Sequence, residues 1–153
     1  GPVYQAGTLS GNPIAMTAGL ATLDLVTQPG FYAELEKKTQ TLIQGLYTRA
    51  MAASIPFYAT SIGSMFGLFF TEVDKIETEG AVKRSNLTHF KRFFHGMLSK
   101  GIYLAPSAFE VGFVSAVHGA QEIVATLNAA EEVFDKLLKD ESSCIELSQA
   151  QQA

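Results

Sequence analysis

The spacing of apolar residues along the chain predicts four helices. Asn12 and Pro13 indicate a helix start, because asparagine caps free N–H groups and proline suits the first helical turn. This helix is expected to end near Val26, before the "QPG" turn. Apolar residues at three- and four-residue steps predict three more helices. These lie near residues 32–54, 87–98 and 123–137.

Short runs rich in aromatic and β-favouring residues predict four strands. They are "IPFYAT" and "SMFGLFFTE", which precede a polar loop at about 74–85, and "IYLA" and "FVSAV", which precede the last helix. The resulting order indicates an α+β fold with a small, mostly antiparallel sheet covered by helices.

The first predicted helix carries apolar residues on nearly every face. One stripe contains Ile14, Ala18, Ala21 and Leu25, and other faces hold Leu20, Leu23 and Val26. A helix of this kind needs cover on several sides. We therefore expect further sequence or a second subunit to cover part of it.

Composition fits one globular unit that is not a membrane protein. The chain has 153 residues, of which 47% are hydrophobic and 17% charged, enough to bury a core. It has no run of 18 apolar residues and no secretory signal pattern, so a cytoplasmic location is expected. The single Cys144 lies in a polar, apparently loose tail from Asp140. It offers neither a disulfide nor a metal cluster, which suits a reducing compartment.

The net charge of −4 argues against a general polyanion binder. One stretch, residues 80–109, has no acidic residue. It holds Lys83, Arg84, Lys91, Arg92 and Lys100. Without interleaved exposed aromatics or an RNA-binding signature, this stretch predicts a solvated helix face rather than a nucleic-acid site.

Most reactive constellations are absent from the sequence. It has no HExxH, CxxC, GxSxG or P-loop, and His89, His95 and His118 do not have the spacing of a helical metal site. We expect these histidines to be ordinary core or surface residues, and no metal to be bound.

Two short polar segments within apolar sequence remain as candidate sites. At Gly7 and Thr8 a phosphate or carboxylate could approach the backbone and accept from a hydroxyl, but these residues alone favour a plain turn before a capped helix. Glu110 is the only acid between Glu79 and Glu122. It is either solvated at a loop tip or held in a cleft where its charge is used.

Four stretches of the chain resemble a known family. "GPVYQAGTLSGNPIAM", "GSMFGLFFTE", "FKRFFHGML" and "GIYLAPSAFEVGFVSAVH" are similar to the carboxy-terminal part of glutamate-1-semialdehyde 2,1-aminomutase. This family consists of fold-type-I pyridoxal phosphate enzymes related to the class-III aminotransferases. The resemblance covers about residues 1–139, and "YLAPSAFEVGF" is its most specific motif.

The resemblance implies an enzyme of tetrapyrrole biosynthesis. The family isomerises glutamate 1-semialdehyde to 5-aminolevulinate, with the cofactor shuttling between its pyridoxal and pyridoxamine 5′-phosphate forms. The catalytic Schiff-base lysine lies upstream of the segment that matches Gly1, so none of the catalytic residues would be in this chain. We therefore expect a fragment that is inactive alone. It would comprise an interface loop and inter-domain helix (1–30), a small carboxy-terminal domain (31–139) and a polar tail (140–153).

The resemblance also assigns roles to the candidate residues. Gly7 and Thr8 match residues that contact the cofactor phosphate held by the second subunit of a homodimer. Glu110 would disfavour substrates with an α-carboxylate and pair with ammonium groups. Tyr4 matches a tyrosine near the mouth of the active site, where a packing role is equally consistent.

Two other interpretations stay open. A related class-III ω-aminotransferase would share "GTLSGNP" but is expected to lack the "SAFE" context. A stand-alone α+β binding or oligomerisation module would instead require Gly1 to be a true domain start.

Overall fold

The computed structural model describes residues 2–4 and 6–150, with side chains described as far as Lys139. These residues form five helices and three strands. They are α1 (Pro13–Val26), α2 (Phe31–Ala52), β1 (Tyr58–Ile62), β2 (Met65–Phe69), α3 (Glu79–Lys83), α4 (Leu87–Ser99), β3 (Gly112–Phe113) and α5 (Ala120–Ala150).

The strands form one antiparallel sheet in the order β1-β2-β3. Tyr58 pairs with Phe69 and Ile62 with Met65, so a two-residue turn joins β1 to β2. The first turn residue, Gly63, has a φ of 56°, a conformation that favours glycine in such hairpins. The predicted α+β class with a small antiparallel sheet is confirmed.

The core lies between the sheet and the helices α2, α4 and α5. Four phenylalanine rings meet there, and all four are at most 4% exposed. They are Phe57, Phe70, Phe93 and Phe134. Glycine permits close helix contacts at two points, since a Cβ at Gly45 would lie 2.6 Å from Leu127, and one at Gly96 would lie 2.7 Å from Val133. Helices α2 and α4 therefore both pack tightly on α5.

Two predicted strands differ in the structure. "IYLA" is not a strand: Ile102 N–H donates to Met97 O at the end of α4, and the next residues pair with no strand in the described part of the chain. Of "FVSAV" only Phe113 belongs to a strand. The sheet therefore has three strands rather than the predicted four.

Two segments predicted to be irregular contain helix. The predicted polar loop holds the short helix α3, because the Thr78 side chain accepts from Ala81 N–H and caps it. The prediction of a loose tail from Asp140 is wrong for the backbone, which continues α5 through Ala150. The side chain of Cys144 lies outside the described part.

Helix α1 has no buried residue. Ile14 is 80% exposed and Leu20 is 60% exposed. The described residues therefore do not bury the apolar faces of α1. That further sequence or a second subunit covers α1 stays a prediction.

Candidate functional site

The first candidate site is an exposed turn in front of α1. Ser10 N–H donates to Gly7 O at 2.9 Å, and Asn12 N–H donates to Leu9 O at 3.0 Å. A Cβ at Gly7 would lie 2.7 Å from Ser10 Oγ, so any other residue there would displace that hydroxyl. Thr8 is exposed beside it. The turn thus exposes its main chain and the Thr8 hydroxyl to solvent.

Asn12 fills the amino end of α1. Its Oδ1 accepts from Ile14 N–H and Ala15 N–H, both at 3.1 Å, and Pro13 has no N–H to offer. These helix amides are therefore already paired. An anion at this end would have to bind at the turn of Gly7 and Thr8 rather than at the helix end.

The second candidate residue, Glu110, is held by a tight loop before β3. Ser107 O accepts from Glu110 N–H, and Ser107 Oγ accepts from Phe109 N–H, each at 3.1 Å. Ser107 therefore fixes the backbone on which the Glu110 carboxylate stands, a role that the sequence analysis did not give it. An ST-turn signal in "SAFE" is consistent with this geometry.

Glu110 is both exposed and on the wall of a cleft. The Glu110 cavity, of about 380 Å³, has a largely apolar lining that includes Phe69, Val82 and Phe109. Its charged residues are Glu110 itself and the pair Lys83–Glu79, joined at 2.6 Å. The ion pair offsets its own charge, so Glu110 leaves the cavity net negative. Such a lining favours a cationic group over a carboxylate.

A larger cavity of about 450 Å³ lies between the "IYLA" segment and α5. Leu42, Phe66 and Ile123 form its apolar base, and the polar residues His118 and Glu122 lie on its rim. No sequence pattern indicates this cavity, because it depends on the path of "IYLA", which pairs with no strand in the described residues.

Glu122 on this rim caps α5. Its Oε2 accepts from Gly119 N–H at 2.7 Å, the reciprocal half of a capping box. Hydrogen bonds from its own backbone N–H and from Gly119 N–H lower the pKa of Glu122 against a small opposing effect of desolvation. The nearby charges of His118 and Lys38 act in the same direction as the hydrogen bonds.

This lowered pKa predicts an acid-dependent contribution to stability. A folded-state pKa below the unfolded value makes the contribution fully present above about pH 4.5 and lost as pH falls through the folded value. We expect Glu122→Gln to unfold with a shallower pH dependence below that pH. Urea denaturation from pH 3 to 7 measures it, with Glu36→Gln, on the exposed side of α2, as control. Parallel pH profiles for all three proteins would contradict the assignment.

The structure does not bring the predicted site residues together within this chain. Of the cavities found in the described residues, those lined by Glu110 include none of Tyr4, Gly7 and Thr8. Tyr4 is 91% exposed. Among the described residues no group of three His, Cys, Asp or Glu side chains is placed to hold a metal ion. None of the described helices is both long enough and apolar enough to cross a membrane.

Three solved structures, two of them named as aminotransferases, are similar to this chain. One is an omega-transaminase from Sphaerobacter thermophilus, with 21% identity and a TM-score of 0.69 over 86% of this chain and 30% of its own. The β-phenylalanine aminotransferase of Variovorax paradoxus has 22% identity and a TM-score of 0.70 over 86% and 30% of the two chains. The FumI protein of a Sphingopyxis species, solved in a PLP form, has 20% identity and a TM-score of 0.72 over 93% and 31%.

The chain has the fold of a segment of these transaminases. It spans about 30% of the length of each. No protein-family model matches it.

Proposed function

We propose that this chain is the carboxy-terminal part of a PLP-dependent glutamate-1-semialdehyde 2,1-aminomutase, a cytoplasmic homodimer that makes 5-aminolevulinate for tetrapyrroles. The observation that carries the proposal is the Glu110 loop, "YLAPSAFEVGF", within a transaminase fold. The loop holds a carboxylate that has no ion-pair partner among the described side chains, at a largely apolar cavity. This placement suits a substrate that carries ammonium groups and no α-carboxylate near Glu110.

The turn of Gly7 and Thr8 fits one edge of the cofactor phosphate. A glycine without Cβ lets an oxyanion approach the backbone, and the Thr8 hydroxyl adds a donor. Asn12 occupies the amides of α1, so this turn supplies few donors. We infer that the other phosphate contacts come from a second identical subunit. When bound, PLP supplies the electron sink for amino-group transfer.

Glu110 is proposed to select the substrate by charge. The Lys83–Glu79 pair is internally compensated, so a substrate in the Glu110 cavity meets one uncompensated carboxylate. An ammonium group is attracted there and a carboxylate is repelled. Tyr4, with its exposed ring, is proposed to line the mouth of the same site.

Helix α1 is proposed to join the two domains of the full-length enzyme. Its exposed leucines would then pack against the large domain, which carries the catalytic lysine. The core described above buries its four phenylalanines within this chain.

A different ω-aminotransferase is the second candidate. The names of the similar structures, an omega-transaminase and a β-phenylalanine aminotransferase, favour it. The two functions differ in one requirement. An aminotransferase needs a separate amino donor and acceptor, whereas the aminomutase moves the amino group within one carbon skeleton.

The proposed position of the catalytic lysine predicts that this chain alone forms no covalent bond to PLP. We expect no PLP label on its lysines after borohydride reduction at micromolar cofactor and neutral pH. Mass spectrometry of tryptic peptides measures the label, and a longer polypeptide that includes the upstream region is the positive control. Stoichiometric label on one lysine between Lys37 and Lys139 would contradict the proposal.

Replacing Thr8 by alanine in that longer polypeptide is expected to weaken PLP binding. One hydrogen bond to a charged group contributes about 1.5 kcal/mol, so Kd should rise roughly tenfold. Equilibrium titration followed by cofactor absorbance measures Kd. Thr8→Ser retains the hydroxyl and should bind as the parent does. Equal affinity for the alanine variant would rule out the contact.

A further inference from the structure

A third cavity, lined mostly by polar residues, lies between helices α4 and α5. This α4–α5 groove has a volume of about 600 Å³, and its polar lining consists of Arg92, His95, Ser99, Lys100, Glu132 and Lys136. The close contact of Gly96 with Val133 forms its floor. It shares no lining residue with the Glu110 cavity or with the cavity bounded by Glu122.

The groove carries an excess of positive charge. Lys100 forms an ion pair with Glu132, so these two charges offset one another. Arg92 and Lys136 have no carboxylate partner among the described side chains. Two positive charges thus face one cavity in a chain whose net charge is −4. The net charge of the groove is therefore opposite in sign to that of the whole chain.

The positive side chains stand on two different helices. Arg92 is fixed to α4 and Lys136 to α5, and the tight contact between the helices limits their relative movement. Arginine can present two parallel N–H donors to an oxyanion, while lysine contributes a point charge. His95, one helical turn from Arg92 on α4, adds a further polar group beside it, whereas the Ser99 hydroxyl already donates to Gly96 O at 2.7 Å.

We propose that the α4–α5 groove binds a small oxyanion that carries two or more negative charges. Its volume lies within the range of about 300 to 1,000 Å³ typical of small-molecule sites. The lining includes no Phe, Tyr or Trp side chain for base stacking and includes the acid Glu132, so a free small anion fits better than a nucleic-acid strand. This inference is independent of the proposed aminomutase function.

The test titrates the full chain with inorganic pyrophosphate and, separately, with citrate at constant ionic strength. The variant Arg92→Ala/Lys136→Ala removes both unpaired charges. The matched control, Arg84→Ala/Lys91→Ala, removes the same residue types from positions outside the groove lining. Isothermal titration calorimetry gives the affinity, and circular dichroism checks that each variant is folded. Arg92→Gln/Lys136→Gln retains side-chain bulk if the alanine variant does not fold.

We expect saturable binding of at least one of the two anions, with an affinity at least tenfold weaker in the groove variant and unchanged in the control. Binding of pyrophosphate alone assigns the site to phosphates, and binding of citrate alone assigns it to polycarboxylates. Absence of saturable binding, or equal loss in the groove and control variants, would overturn the proposal.

Discussion

Phe134→Ala is expected to lower the free energy of unfolding by about 3 to 5 kcal/mol, the range for truncating a fully buried aromatic residue. Phe134 is fully buried in α5. Its ring stacks on Phe93 with centroids 4.8 Å apart and meets the edge of Phe57 at 5.5 Å. The substitution removes contacts to α4 and to the segment entering β1 at once. Because neighbouring rings already contact one another, the cavity can collapse only in part.

Urea denaturation followed by circular dichroism measures this loss. Phe109, which is 57% exposed, provides the matched control. Its replacement by alanine should change stability by no more than about 0.5 kcal/mol. If Phe134→Ala costs less than about 1 kcal/mol, the four-ring cluster is not the core of this domain.

Glu110→Arg in the longer polypeptide is expected to shift its substrate preference towards α-amino acids. Conversion of glutamate 1-semialdehyde should fall, and half-transamination with α-amino acids such as glutamate should rise. Replacing repulsion by attraction at about 4 to 6 Å changes the interaction by a few kcal/mol at an effective dielectric near 20. The ratio of the two activities should therefore change at least about tenfold.

Formation of 5-aminolevulinate by the pyridoxamine-loaded enzyme measures the first activity, and single-turnover loss of aldehyde absorbance in the pyridoxal-loaded enzyme measures half-transamination. Glu36→Arg makes the same change of charge on the exposed side of α2 and should leave the ratio unaltered. Glu110→Gln, which removes charge without reversing it, should fall between the parent and the arginine variant. A ratio within about twofold of the parent value would mean that Glu110 is a solvated loop residue.

Local sequence signals predicted most of the helical framework. Asn12 and Pro13 mark the start of α1, and the observed helix ends at Val26 as expected. Asn86 caps α4 in the same way, by accepting from Thr88 N–H and His89 N–H. Such caps depend on residues within a few positions of one another, so the sequence alone contains them.

Strand pairing could not be predicted as well, because it depends on distant residues. "IYLA" has the composition of a strand, yet Ile102 N–H donates to Met97 O at the end of α4. The following residues pair with no strand in the described part of the chain. Of the predicted strand "FVSAV", only Phe113 pairs with β2, together with the preceding Gly112. The short helix α3 was missed because its polar residues show no apolar period and its stability depends on the Thr78 cap.

The candidate site was predicted only in part. Glycine, hydroxyl and lone-acid signals singled out Gly7, Thr8 and Glu110, but their roles rest on family resemblance. The support from Ser107 and the compensating pair Lys83–Glu79 required coordinates. The turn and the Glu110 cavity do not meet in this chain, so no property of its sequence could show them acting together.

The requirement for an amino donor tests the proposed function most directly. The longer polypeptide, loaded with pyridoxamine 5′-phosphate, is incubated with glutamate 1-semialdehyde and no other amine, and 5-aminolevulinate is measured over time. Because an intramolecular transfer regenerates the amino form of the cofactor, we expect many equivalents of product per subunit. Consumption of at most one equivalent of the aldehyde per subunit, with the 4,5-diamine as product instead of 5-aminolevulinate and further consumption only when an external amine is supplied, would contradict the aminomutase and identify an ω-aminotransferase.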